Sequence, residues 1–128
     1  MLFAFLHSGN PEAGILAIFN VFLAGIFLGV SYIYTRNLWF AIFFHLSWNF
    51  LQGPILGFPV SGLELPTLLQ VTISGNELIT GGKFGFEASI IQTILFIIAT
   101  PVLYLYYRNQ LPTAPTQSKS SQKEQTEN

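Results

Sequence analysis

The side chains of this sequence best suited to chemistry are two histidines and an asparagine in uncharged surroundings. His45 and Asn49 lie in a stretch, residues 37–63, that contains no Asp, Glu, Lys or Arg. On a helix, residues four apart share one face, about 5–6 Å from each other. Because a polar group inside an apolar span is costly, an ionisable residue there indicates a functional site. We therefore expect His45 and Asn49 to face the protein interior.

His7 provides a second imidazole, at the end of the apolar run that opens the chain. Two histidines from different helices, joined by a carboxylate, would form a ligand set that holds catalytic zinc and leaves a position for water. Without a metal, a buried glutamate could activate the water while histidine and asparagine stabilise the oxyanion. Both schemes need a carboxylate, and the residues leave both open.

The acidic residues all fall outside the predicted membrane spans and comprise Glu12, Glu64, Glu77, Glu87, Glu124 and Glu127. Glu12 and Glu87 each precede a predicted helix, where a carboxylate interacts favourably with the positive end of the helix dipole. We interpret both as helix-start residues. The sequence therefore predicts no general base among them.

The elements that must position these residues are apolar helices. With 51% hydrophobic and only 9% charged residues, the chain departs strongly from soluble proteins, of which roughly a quarter of residues are charged. Uncharged segments predict spans at about residues 14–35, 38–56 and 88–107, the first exceeding the roughly 20 residues that cross a bilayer. Gly53-Pro54 is expected to break or kink the second span, because proline lacks the N–H donor. The predicted fold class is an all-α, polytopic transmembrane helical bundle.

The remaining segments are predicted to be connections and ends. Residues 1–13 are expected to be the end of a preceding helix and its loop, and residues 108–128 a disordered polar tail. Residues 57–85 form a linker rich in Gly, Thr and Ser, whose middle, 68–73, fits a short strand or an interfacial turn.

Composition also excludes some functions. Five Lys and Arg residues provide no basic patch for nucleic acid, and the absence of Cys rules out disulfides and thiolate-bound metal.

The predicted partners are membrane lipid and a peptide or membrane-protein substrate. The predicted location is a bacterial cell membrane, in which the chain is a multi-pass integral protein.

A shared histidine site raises a geometric difficulty. If the first span crosses the bilayer, His7 lies near one surface and His45 lies roughly 10 Å from the other, at 1.5 Å per residue. The two rings meet only if the first span is tilted or partly re-entrant, or if the segment around His7 folds back toward the membrane interior. The residues do not select among these arrangements.

Two motifs resemble those of a known family. Phe3-x-x-x-His7 and His45-x-x-x-Asn49, in this order and joined by an apolar helix with a Thr-Arg-Asn-Leu-Trp turn, resemble the second and third motifs of the CPBP family. This family, also called Abi or CAAX protease and bacteriocin-processing enzymes, comprises multi-span intramembrane endopeptidases that include the type II CAAX prenyl protease. The resemblance extends over residues 3–107.

The resemblance implies roles for individual residues. His7 and His45 would bind or polarise the attacking water, as zinc ligands if zinc is used, and Asn49 would support the oxyanion. Phe3 would be the structural companion of His7. The family's first motif, two adjacent glutamates followed by an arginine, is absent. We therefore expect the chain to be the C-terminal part of a longer protease, inactive without upstream helices.

A noncatalytic membrane module is the alternative. A bacteriocin-immunity-like or scaffold protein could keep the fold after losing the glutamates.

Gly25-x-x-x-Gly29 is predicted to be a close-packing helix face, and Asn20 is predicted to form an interhelical hydrogen bond.

Overall fold

A computed structural model describes residues 2–110, so most of the predicted tail, from residue 111 onward, lies outside the described residues. The helices, in chain order, are α1 (Leu2–His7), α2 (Ile15–Thr35), α3 (Leu38–Phe50), α4 (Glu77–Thr80) and α5 (Ile90–Arg108). A π-helical turn, Leu51–Ile55, continues α3, and two 3-10 turns, Gly82–Phe84 and Phe86–Ala88, precede α5. Residues 2–110 contain no β-strand beyond one isolated bridge. This confirms the all-α fold class.

Two of these helices, α2 and α5, are long and apolar enough to cross a membrane. They pack against each other, and α1 and α3 both pack on α2. Much of the apolar surface of α5 remains exposed, including Ile94, Ile97 and Ile98. Exposed side chains of this kind suit contact with lipid, as the predicted membrane location requires.

The second predicted span divides in two. The α-helix α3 ends at Phe50, and the following π-helical turn contains Pro54, so the predicted break lies at the expected place. Proline removes one backbone donor, and the wider hydrogen bonding of a π-turn accommodates that loss. By contrast, α5 continues through Pro101 to Arg108.

The linker between α3 and α5 folds onto the helices. Residues 68–73 form neither a strand nor a helix. Further along, Phe84 is almost fully buried in a small core with Ala4, Ala17 and Val21 of α1 and α2. This core ties the linker to the helix that carries His7.

Candidate active site

His7 and His45 lie side by side although they belong to different helices. Their ring centroids are 6.4 Å apart. The ring of Phe3, one helical turn before His7, contacts both, with its centroid 4.6 Å from that of His7 and 5.2 Å from that of His45. Phe3 therefore forms the apolar side of the histidine pair.

Close packing of α1 on α2 brings the two histidines together. A side chain at Gly25 would place its Cβ 3.3 Å from the Cβ of Phe3, so only a glycine there allows this approach without adjustment. Gly25 lies about 15 Å along α2 from its first residue, at 1.5 Å per residue. The segment around His7 thus folds back along α2, which is one of the three arrangements that the sequence left open. The predicted packing role holds for Gly25, whereas a Cβ at Gly29 would meet nothing within 4 Å.

The ring of His7 has a defined tautomer. Its Nδ1 lies 2.7 Å from the carbonyl oxygen of Phe3. Because a carbonyl oxygen only accepts hydrogen bonds, Nδ1 carries the proton and donates it. In the neutral ring, Nε2 is then the nitrogen with a free lone pair, available to a water molecule or a metal.

Glu87 is not a helix-start residue, which corrects the sequence prediction. The N-cap of α5 is Ser89, whose hydroxyl accepts a hydrogen bond from Gln92 N at 3.1 Å. The Glu87 carboxylate instead accepts two hydrogen bonds at Oε2 from Ser61, from its backbone N–H at 2.7 Å and from its hydroxyl at 2.6 Å. The carboxylate is therefore held by Ser61 and does not cap α5.

The environment of Glu87 changes its acidity. Burial raises the pKa of its carboxyl above the ordinary value, while the hydrogen bonds from Ser61 and the nearby charge of His7 act in the opposite direction. Burial is the largest of these influences. A carboxylate with a raised pKa is a stronger base than an exposed one, which suits proton transfer from water.

Hydrogen bonds among three short segments hold Ser61 and Glu87 against each other. Asn10 donates from Nδ2 to Ser61 O at 3.0 Å, and Gly62 N donates to Phe84 O at 2.8 Å. At Gly85, φ is +104° and a Cβ would collide with the carbonyl oxygen of Pro59, so a glycine is required. The contact between Ser61 and Glu87 is therefore the place where the loop after α1, the loop after α3 and the segment before α5 meet.

A cavity of about 220 Å³ opens beside these residues. Its ionisable lining residues are His7, His45 and Glu87, which come from α1, α3 and the segment before α5. Most of the remaining wall is apolar, and its residues include Val21, Ala24, Phe27, Leu28, Phe44, Leu95, Phe96 and Ala99. Apolar walls with a few convergent polar groups are the usual composition of a ligand site.

Asn49 lies outside this set. It is partly buried on α3 but does not line the cavity. Its Oδ1 is buried and has no hydrogen-bond partner among residues 2–110. The structure thus brings His7 and His45 together with Glu87, and leaves Asn49 apart from them.

Asn20 confirms its predicted role and positions Glu87. It donates from Nδ2 to the carbonyl oxygens of Glu87 and Ser89, both at 2.8 Å. Its Oδ1 accepts from the hydroxyl of Thr93 at 2.7 Å. Three hydrogen bonds therefore join the second turn of α2 to the start of α5 and the residues just before it.

A three-ligand zinc site does not fit these residues. Catalytic zinc normally takes three protein ligands and one water. Within the described part of the chain, no group of three or more His, Asp or Glu side chains is close enough to hold a metal ion. His7 and His45 alone supply two nitrogen donors, one fewer than that set requires.

The sequence contained a signal for Glu87 that the helix-dipole interpretation overlooked. Ser89 is a better N-cap than glutamate and stands between Glu87 and the helix. A glycine-rich run, residues 81–85, ends two residues before Glu87. A turn of this kind, next to a helix that already has a cap, frees the carboxylate for another partner.

The N-terminal part of the chain is similar to a known protein family. Residues 1–51 match the model of a family described as type II CAAX prenyl endopeptidase Rce1-like. The matched segment contains Phe3, His7, His45 and Asn49, so the predicted family resemblance is confirmed there. No curated protein and no solved structure matches the chain.

Proposed function

We propose that this chain is an endopeptidase of the CAAX-protease type that hydrolyses peptide bonds in or near the membrane. The family match supports the reaction class. The observation that carries the proposal is the single cavity lined by His7, His45 and Glu87. Two imidazoles and one carboxylate in apolar surroundings are the groups that activation of a water molecule requires.

In the proposed reaction, Glu87 is the general base. Nε2 of His7 accepts a hydrogen bond from the attacking water, and His45 holds that water from the facing helix. Glu87 takes one proton from the water as the oxygen bonds to the substrate carbonyl carbon. When the C–N bond breaks, Glu87 returns the proton to the leaving amine. The oxygen of the water thus becomes part of the new carboxylate, and the proton that Glu87 took goes to the new amine.

Ser61 is the proposed positioning residue for this base. Its two hydrogen bonds hold Oε2 of Glu87, and we assign the proton transfer to Oε1, which accepts none from Ser61. Asn49 keeps its predicted role as the group that supports the oxyanion, and the Asn49→Ala variant tests that role separately.

The donor set favours activation of water without a metal. His7 and His45 lack a third ligand close enough to hold a metal ion with them among residues 2–110. We therefore include no metal in the reaction.

The substrate class follows from the family name and from the cavity. The matched family acts on prenylated CAAX ends, and the largely apolar cavity wall suits an apolar substrate segment. We propose that the substrate is a peptide held at the membrane by an apolar group. The exposed apolar faces of α3 and α5 support a multi-pass position in lipid. The location in a bacterial cell membrane stays a prediction.

The test uses the full 128-residue chain reconstituted in lipid vesicles. Two internally quenched peptides are offered, one ending in a farnesylated CAAX sequence and one with an apolar membrane-inserting segment. Because Glu87 supplies a carboxylate in place of the absent glutamate motif, we expect the chain to cleave at least one peptide, contrary to the sequence expectation of an inactive chain. The His45→Ala variant should lose about 100-fold or more of this activity. Ser47→Ala, an exposed position on the same helix, is the matched control and should keep full activity.

Two results would contradict the proposal. Cleavage that persists in His45→Ala would remove this histidine from the reaction. If the inserted and folded wild-type chain cleaves neither peptide, the noncatalytic membrane module becomes the better description.

A further inference from the structure

Gln92 is a buried polar residue that neither the fold nor the proposed reaction uses. It lies in the first turn of α5, is 4% exposed, and lines the cavity that contains the two histidines. Its Oε1 is buried and has no hydrogen-bond partner within residues 2–110. A buried acceptor without a partner is costly and calls for an explanation.

The polar residues around Gln92 are already satisfied. Asn20 uses both its amide and its carbonyl oxygen in hydrogen bonds to Glu87, Ser89 and Thr93. The hydroxyl of Ser89 caps the helix through the backbone N–H of Gln92, not through its side chain. The start of α5 is therefore fixed without the carboxamide of Gln92.

Two other buried carbonyl oxygens also lack a partner, and both differ from that of Gln92. Gln52 donates from Nε2 to Pro59 O at 2.6 Å, so its amide helps to hold the loop after α3. Neither Asn49 nor Gln52 lines the cavity. Among these three residues, Gln92 alone belongs to the wall of a cavity that a ligand could occupy.

A peptide substrate from the membrane brings the group that this acceptor needs. A transmembrane segment satisfies its backbone N–H groups by helical hydrogen bonds. Cleavage requires an extended stretch, in which those N–H groups lose their partners in surroundings that contain little water. An acceptor next to the reacting groups can take one of them.

We propose that Gln92 is a substrate-binding residue whose Oε1 accepts a backbone N–H of the extended peptide beside the histidine pair. This inference rests on the proposed function. It names the part of the substrate that the cavity would recognise. The feature is a free main-chain N–H, and the recognition is independent of the substrate side chains.

The test measures binding separately from cleavage. The His45→Ala chain in lipid vesicles is used because we expect it to bind the farnesylated peptide without cutting it. A series of peptides in which one backbone amide at a time becomes an ester removes one N–H each. We expect one ester position to weaken binding about fivefold to tenfold, the effect of losing one hydrogen bond. Adding Gln92→Met, which keeps the size of the side chain but has no acceptor, should abolish that difference.

Controls make each result decisive. Gln110→Met changes the same residue type beyond the end of α5 and should leave the ester effect intact. The helix content of Gln92→Met, measured by circular dichroism, should equal that of the parent. An ester effect that is unchanged by Gln92→Met, or no binding of the peptide at all, overturns the inference. If the wild-type chain binds the peptide in a Gln92-dependent way but never cleaves it, the proposed function fails and the inference stands.

Discussion

The Nδ1 atom of His7 donates a hydrogen bond of 2.7 Å to the carbonyl oxygen of Phe3, one turn earlier on the same helix. This contact fixes the tautomer of the ring and directs its unprotonated Nε2 away from the backbone of α1. A backbone partner for the second nitrogen is the arrangement by which proteins orient histidines that act on water or metals.

The first prediction concerns this tautomer. In a chain labelled with ¹⁵N at histidine, the neutral His7 ring should show a protonated Nδ1 and an unprotonated Nε2. Its resonances can be assigned from their disappearance in His7→Gln. The reverse pattern would mean that the proton lies on Nε2 and that this atom cannot accept a hydrogen bond from water.

The second prediction concerns the approach of α1 to α2. Gly25→Leu should displace Phe3, and with it His7, because the glycine Cα faces Phe3 with no space for a side chain. We expect peptide cleavage to fall by about 100-fold, since a displacement of 1 Å can cost that factor. Gly29→Leu is the matched control on the same helix, where a Cβ meets no neighbour within 4 Å. Equal losses in both variants would contradict a specific role for Gly25.

The third prediction separates the charge of Glu87 from its packing. Glu87→Gln keeps an oxygen that can accept from Ser61 but removes the base, so we expect cleavage to fall by about 100-fold or more with little change in stability. Glu77→Gln, an exposed glutamate of the same linker, should have no effect. Ser61→Ala should reduce activity less, because the base remains but is held less firmly. If Glu87→Gln stays active, the general base is another group.

The fourth prediction concerns the connection between α2 and α5. Asn20→Leu removes three hydrogen bonds, each contributing about 0.6 kcal/mol between membrane helices, so the free energy of unfolding should fall by about 2 kcal/mol. Denaturant titration in mixed micelles measures this loss. Ser31→Ala is the control, because this buried hydroxyl bonds only to Leu28 O within its own helix. A loss in Ser31→Ala as large as that in Asn20→Leu would argue against an interhelical role.

The fifth prediction concerns metal. Because two histidines without a third ligand do not form a three-ligand site, the purified active chain should contain well under one zinc per molecule. Cleavage should also survive treatment with a chelator. Stoichiometric zinc that is lost together with activity in His7→Ala would instead support the metal-dependent scheme.

The sequence determined the features that depend on neighbouring residues. Long uncharged runs specify α2 and α5, because a helix that satisfies its own backbone hydrogen bonds is what an apolar segment forms in lipid. The same local rules place the break near Pro54 and put His45 and Asn49 on one helix. The motif spacing was also sufficient to predict the family that residues 1–51 match.

Only the tertiary structure decided which of these side chains share a cavity. His7 reaches His45 because Gly25 lets α1 lie along the middle of α2. Glu87 is held beside them by two hydrogen bonds from Ser61, which lies 26 residues earlier. Asn49, which helical spacing places near His45, lies outside the cavity. Periodicity fixes the face of one helix, whereas contacts between distant segments depend on how their surfaces pack, and no local pattern encodes that.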